Sequence, residues 1–206
     1  MYHGERFNSI SHLIGAILAL VGVVVLVVDA RLHSDTRKIV SVSIYGASLL
    51  TLYTCSTLYH SLRGRAKRVF KHLDHTAIYL LIAGSYTPLT LVALRGRLGW
   101  SLFAAVWTLA VVGALQEFRR VKGERVLSVV IYVAMGWMAV VAFRPLAEVI
   151  GPGGLAWLIA GGLCYTVGIG FYAFDHRLPV LHGVWHLFVL GGSIAHYIVV
   201  LAYVRN

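Results

Sequence analysis

The sequence is poor in charge, in acids above all, and in the residues that cross-link small secreted folds. Only 13% of its 206 residues are charged, eight of them acidic, and it has two cysteines and four prolines. Cys55 and Cys164 each lie inside an apolar run, which argues against a disulfide framework or a thiolate zinc site and marks both as small packing residues. No cleavable signal peptide is apparent: residues 1–11 carry Glu5 and Asn8, and the apolar run that follows is long enough to span a bilayer. Linkers and low-complexity tracts are missing too, so residues 1–206 read as one domain.

What is present is apolar. The hydrophobic fraction is 59% and the mean hydropathy +0.79, more than a soluble domain of this size needs, so lipid is the expected solvent. Seven apolar segments, at 10–30, 39–61, 72–94, 98–117, 126–144, 153–174 and 181–204, each approach the roughly 20 residues a bilayer requires. The expected fold is an all-α, seven-transmembrane-helix bundle in the cytoplasmic membrane. The net charge of +10 sits in the short connections, where it reads as a topology determinant and a contact for anionic headgroups, with no nucleic-acid partner implied. With the N-terminus cytoplasmic, eleven Lys and Arg residues fall inside and seven outside, which favours N-in and C-out. Glycine pairs at Gly161-Gly162 and Gly191-Gly192 predict close helix packing, and Pro88 predicts a kink late in the third helix.

The polar residues inside these segments collect at one depth. The first helix opens with Glu5, Asn8, Ser11 and His12; the second ends with Ser56 and His60; the third opens with His72, Asp74 and His75; the seventh opens with His182 and His186. Spacings of three, four and seven place such residues on one helix face. Singly, each has a plainer role: a hydrogen-bonded or interfacial histidine at 12, 72 or 75, His60 reaching the headgroups beside Arg63, Asp74 capping its helix. Their joint arrival at one end of the bundle favours a shared site. Catalytic zinc takes three protein donors at about 2.0–2.1 Å and keeps a fourth position open. His182 and His186 supply two and His60 a third, while Asp74 is placed to take a proton from water activated there. Gly183 stands where the metalloprotease HExxH motif has glutamate, so that mechanism is not implied. His196, ten residues beyond His186 and about 15 Å along the helix, is too far to join the same ion. It reads either as the mark of a polar cavity or as a histidine bonded between packed helices.

These residues carry a resemblance. Glu5-x-x-Asn8-x-x-x-His12, Ser56-x-x-x-His60, Asp74 followed by Gly84-Ser85-Tyr86-x-Pro88, and His182-x-x-x-His186 with His196 resemble the progesterone and adipoQ receptor (PAQR) family. The short chain is similar to its prokaryotic hemolysin III branch. Ser11 stands where threonine is common in the family. The resemblance spans all seven segments and implies an inside N-terminus and a Zn2+ ion held by His60, His182 and His186. It implies Asp74 at the zinc-bound water, with Ser56 close by; Glu5, Asn8 and His12 are expected to surround the ligands. In the eukaryotic receptors such a site is associated with hydrolysis of ceramide amides, whereas hemolysin III proteins are variously described as cytolytic or as tuning the membrane. Three functions are therefore set against one another: a zinc-dependent hydrolase of a lipid amide or ester, a membrane sensor stabilised by zinc, and a channel or pore. Each makes membrane lipid the expected substrate or ligand.

Overall fold

The computed structural model describes residues 4–32, 35–119, 125–178 and 180–204. Its elements are all helical: α1 (Arg6–Leu32), α2 (Thr36–Ser61), α3 (Gly64–Pro88), α4 (Gly96–Arg119), α5 (Val126–Trp137), α6 (Phe143–Ala173) and α7 (Val180–Ile198). No strand occurs among the described residues. Hydrocarbon offers backbone N–H and C=O groups no partners, so apolar runs of this length have to bond within themselves.

The connections are short and locally encoded. Asp35 caps α2, its carboxylate accepting from the backbone N–H of Arg37 and of Lys38 at 2.9 and 3.2 Å. Lys38, itself buried, donates to Asp29 at 2.9 Å and ties the end of α1 to the start of α2. Beyond Pro88, α3 widens into a π-helical turn, Leu89–Leu94, rather than a sharp kink. Thr87 and Thr90 hydroxyls donate there to the carbonyls of Ala83 and Tyr86 at 2.9 Å each. Arg95, at φ 48°, and Gly96, at φ 57°, then reverse the chain into α4.

Among the described residues, six helical stretches are long and apolar enough to cross a membrane, and one of them, Val126–Ala173, has 48 residues. Straight, it would measure about 72 Å, more than twice the hydrocarbon thickness. It does not run straight: Gly151 breaks it at φ 67°, ψ 178°, a conformation open to glycine. Arg125, just before the stretch, meets Asp175, just after it, at 2.7 Å. The stretch therefore doubles back. The connection expected between the fifth and sixth segments, around Arg144-Pro145 and Gly151-Pro152, contracts to that glycine, because Phe143–Ile150 is itself helical and Pro145 and Pro152 both sit in first turns, where a missing N–H costs nothing.

Two apolar cores form among the described residues. One joins α3, α4, α5 and α6 around Tyr79, Val106, Met135 and Leu146; the other joins α1, α2 and α7 around Leu26, Tyr45, Tyr53 and Trp185. The most apolar window of α3 is 72% buried against 22% for α1, so α3 is the central helix and α1 turns most of its valines and leucines outward. Glycine packing holds for one member of each pair. A Cβ on Gly161 would enter the His196 ring and one on Gly192 would come within 2.8 Å of Tyr165, whereas Gly162 has nothing near it and Gly191 only the Cys164 sulfur at 3.8 Å. At the end carrying the polar residues, Ser9 Oγ meets Ser61 Oγ at 2.5 Å and locks the start of α1 to the end of α2.

Candidate metal centre

His60 lies in the last turn of α2, and His182 and His186 lie one turn apart in the first half of α7. One ligand atom from each falls within 4.8 Å of the others. The ring centroids are 4.9–5.1 Å apart, and the Nε2 atoms of His60 and His182 are separated by 3.3 Å. In each ring the other nitrogen is held from behind. His60 Nδ1 donates to Glu5 Oε2 at 2.5 Å, and His182 Nδ1 to Asp175 Oδ2 at 2.8 Å. His186 Nδ1 donates to the Asn8 carbonyl at 3.1 Å, with Ser11 Oγ at 3.3 Å.

These partners set the tautomers. A neutral imidazole that donates from Nδ1 keeps a lone pair on Nε2. Two such lone pairs facing each other across 3.3 Å repel unless a proton or a metal ion lies between them. The spacing is also close to the edge, roughly 3.3–3.4 Å, of a tetrahedron with metal–nitrogen bonds of about 2.0–2.1 Å. The donor set thus fits a first-row divalent ion such as zinc, with outer acceptors that orient the rings and raise their basicity. Neither cysteine takes part.

The acceptors are fixed in turn. Glu5 accepts from Lys67 at 2.8 Å and from Asn8 Nδ2 at 3.2 Å. Burial pushes its carboxyl up, but the hydrogen bonds from His60 and Lys67 outweigh this and hold it at about 2. Burial also raises Asp175, yet the bond from His182 and the Arg125 guanidinium bring it below its ordinary value. Asp175 had no distinguishing mark in the sequence. It sits outside any helix, seven residues before His182, and only the turn at the end of α6 swings it back. Asn8 acts partly through its backbone carbonyl, which no side-chain pattern announces.

His12 is placed differently from the other residues around the ligands. It stacks on His186 with centroids 3.6 Å apart, meets Tyr53 edge-on at 5.1 Å, and neither of its nitrogens has a hydrogen-bond partner among the described residues. Asp74 on α3 and Ser56 on α2 are buried and line a cavity of about 320 Å³ that also touches His12, His182 and His186. The cavity runs on past apolar residues to His196, and its wall includes Val140, Phe143 and Ile159. Those three are 46–58% exposed, so the cavity reaches the bundle surface between the two arms of the Val126–Ala173 stretch. His75 also lines the cavity, but its Nδ1 donates to Glu117 at 2.9 Å, while His72 stacks against Phe118 with centroids 6.3 Å apart.

An all-helical bundle with several membrane-length apolar helices and three convergent histidines beside an internal cavity defines a multi-pass membrane protein with a candidate metal centre. The model of the family described as "Haemolysin-III related" matches residues 1–197, and the chain belongs to that family, the hemolysin III branch of the PAQR proteins. It is 44% identical to Hemolysin-3 of Bacillus cereus, over 97% of this chain and 91% of that one. It is 41% identical to a Hemolysin-3 homolog of Bacillus subtilis (strain 168), over 97% and 93%. A more distant likeness, 28% identity over 95% and 82%, links it to the human Monocyte to macrophage differentiation factor. The resemblance read from the motifs is borne out.

Proposed function

We propose that this protein is a membrane-embedded, zinc-dependent hydrolase of a lipid amide or ester bond. One observation carries the reading: two of the three clustered histidines, His182 and His186, share a cavity wall with a buried carboxylate, Asp74, and that cavity opens towards lipid. Zinc, when bound, supplies Lewis acidity towards a carbonyl oxygen and towards water. His60, His182 and His186 hold it, and Glu5, Asp175 and the Asn8 carbonyl keep their rings in register. Asp74 accepts the proton of the attacking water and returns it to the departing nitrogen or oxygen, so that one water and one acyl bond become a carboxylic acid and an amine or alcohol. Ser56 orients the water or the carbonyl. The apolar length of the cavity excludes bulk water and takes the acyl chain.

In the bilayer this reading has seven crossings, with Gly151 as the turn between the fifth and sixth, the N-terminus cytoplasmic and the C-terminus outside. Labelling of single cysteines placed near residues 4 and 204 from each side of sealed vesicles tests that topology, and reaction from the same side rejects it.

The activity is tested with purified protein, assayed for bound metal and for fatty acid released from a panel of ceramides, N-acyl amines and glycerolipids. The expected outcome is about one zinc per chain and release that Asp74→Asn abolishes while the metal stays bound. Full zinc with no release from any lipid overturns it. If chelation then unfolds the protein, the second reading gains, a sensor in which zinc is structural; its support is that the site and its acceptors link α1, α2 and α7.

A further inference from the structure

The cavity has a polar feature far from the metal centre. His196 lines it, ten residues beyond His186 on the same helix and therefore about 15 Å further along. Its Nε2 donates to the Leu158 carbonyl at 3.3 Å. A neutral ring bonded in that way keeps an acceptor lone pair on Nδ1, and nothing among the described residues pairs with it. The ring is held in place: Tyr165 meets it edge-on at 5.4 Å, and it occupies the space a Cβ on Gly161 would need.

The other polar groups along this half of the cavity are already engaged. Thr166 Oγ1 donates to the Gly162 carbonyl at 2.8 Å and accepts from Trp137 Nε1 at 3.3 Å. Tyr165 shares a hydrogen bond with Ser193 Oγ at 2.9 Å. Tyr86 donates to the Gly136 carbonyl and accepts from the backbone N–H of Ala139, both at 2.8 Å. A single oriented acceptor thus stands in an otherwise apolar or self-satisfied wall, where leaving it unpaired costs free energy.

We propose that the acyl chain this cavity takes carries a hydroxyl group midway along its length, and that the hydroxyl donates to His196 Nδ1. The proposal rests on the reading of the cavity as an acyl-chain site. An extended chain of C–C bonds of about 1.52 Å advances roughly 1.25 Å per bond, so about 15 Å from the reacting carbonyl corresponds to roughly ten to twelve bonds. The favoured class is therefore acyl groups hydroxylated near carbons 10 to 12, in preference to unsubstituted chains or to chains hydroxylated beside the carboxyl.

The test is displacement of a fluorescent fatty acid from the zinc-loaded protein in detergent, which needs no turnover. Stearate, 3-hydroxystearate, 10-hydroxystearate and 12-hydroxystearate are the competitors. The expected result is that the 10- or 12-hydroxy acid competes roughly 3- to 10-fold better than the other two, the worth of one net hydrogen bond. His196→Phe should remove that preference, so that stearate and the 10- and 12-hydroxy acids compete alike; should that variant not fold, His196→Gln, which keeps an acceptor, should retain part of it. Equal competition by all four acids, or a preference that survives His196→Phe, overturns the inference and leaves the acyl-chain site standing. Failure of any fatty acid to displace the probe removes both.

Discussion

Two regions of this bundle pair buried histidines with carboxylates, and they do opposite things with the arrangement. At the junction of α1, α2 and α7, His60 and His182 each turn Nδ1 outwards to an acid, and their Nε2 atoms are left facing each other at 3.3 Å. Between α3, α4 and α5, His75 meets Glu117 at 2.9 Å, Ser128 donates to the same carboxylate at 3.2 Å, and Tyr132 donates to the His75 carbonyl at 2.9 Å. The second region is complementary: donor faces acceptor and the packing around it closes. In the first, ring nitrogens of three histidines converge, an arrangement that could hold a metal ion. A histidine–carboxylate pair alone therefore does not signal a metal centre. What matters is where the other nitrogen points.

This contrast can be broken by mutation. The largest effect is expected at the convergent histidines: His186→Ala should take bound metal from about one equivalent to nearly none, read by elemental analysis of the purified protein, and full metal content in that variant would remove the site. Next, Glu117→Ala should cost about 3–5 kcal/mol of stability, the usual result of breaking a buried pair from one side, with metal content unchanged. Replacing His75 and Glu117 together by leucine should recover most of that loss in thermal unfolding, and metal loss in either protein would mean that the two regions are one. A smaller effect separates the acceptors from the ligands. Glu5→Gln and Asp175→Asn should each weaken zinc roughly 10- to 100-fold in a competition titration with a chelator, without abolishing it. The smallest belongs to Arg125, whose side chain is 42% exposed: Arg125→Gln should change stability by less than about 1 kcal/mol, and a larger shift in unfolding midpoint would give the Asp175 contact more weight than its exposure allows.

The sequence carried much of this arrangement, unevenly. The apolar runs read directly as helices, and the fifth and sixth segments were recognisable although their connection was expected to be longer. The structure makes Phe143–Ile150 helical and leaves the reversal to one glycine, because prolines in first turns do not stop a helix. The histidines at 60, 182 and 186 stood out through residue type and spacing. Asp175 and Lys67 did not, since an acid in a loop and a lysine among other basic residues have nothing local to mark them. His12 and His75 looked alike in the chain, yet one stacks on His186 while the other pairs with Glu117 across 42 residues.

By itself, then, the sequence determined that the chain is helical and lives in lipid, because an unbroken apolar run has no other way to satisfy its backbone there. It also determined which side chains are too polar to face that lipid. Only tertiary packing decided which of them meet: His60 and His182 are 122 residues apart, and their approach follows from α2 and α7 packing on the same side of the bundle. The direction in which each ring presents its lone pair was decided there as well, by acceptors that two distant parts of the chain contribute, Glu5 with Asn8 and Asp175.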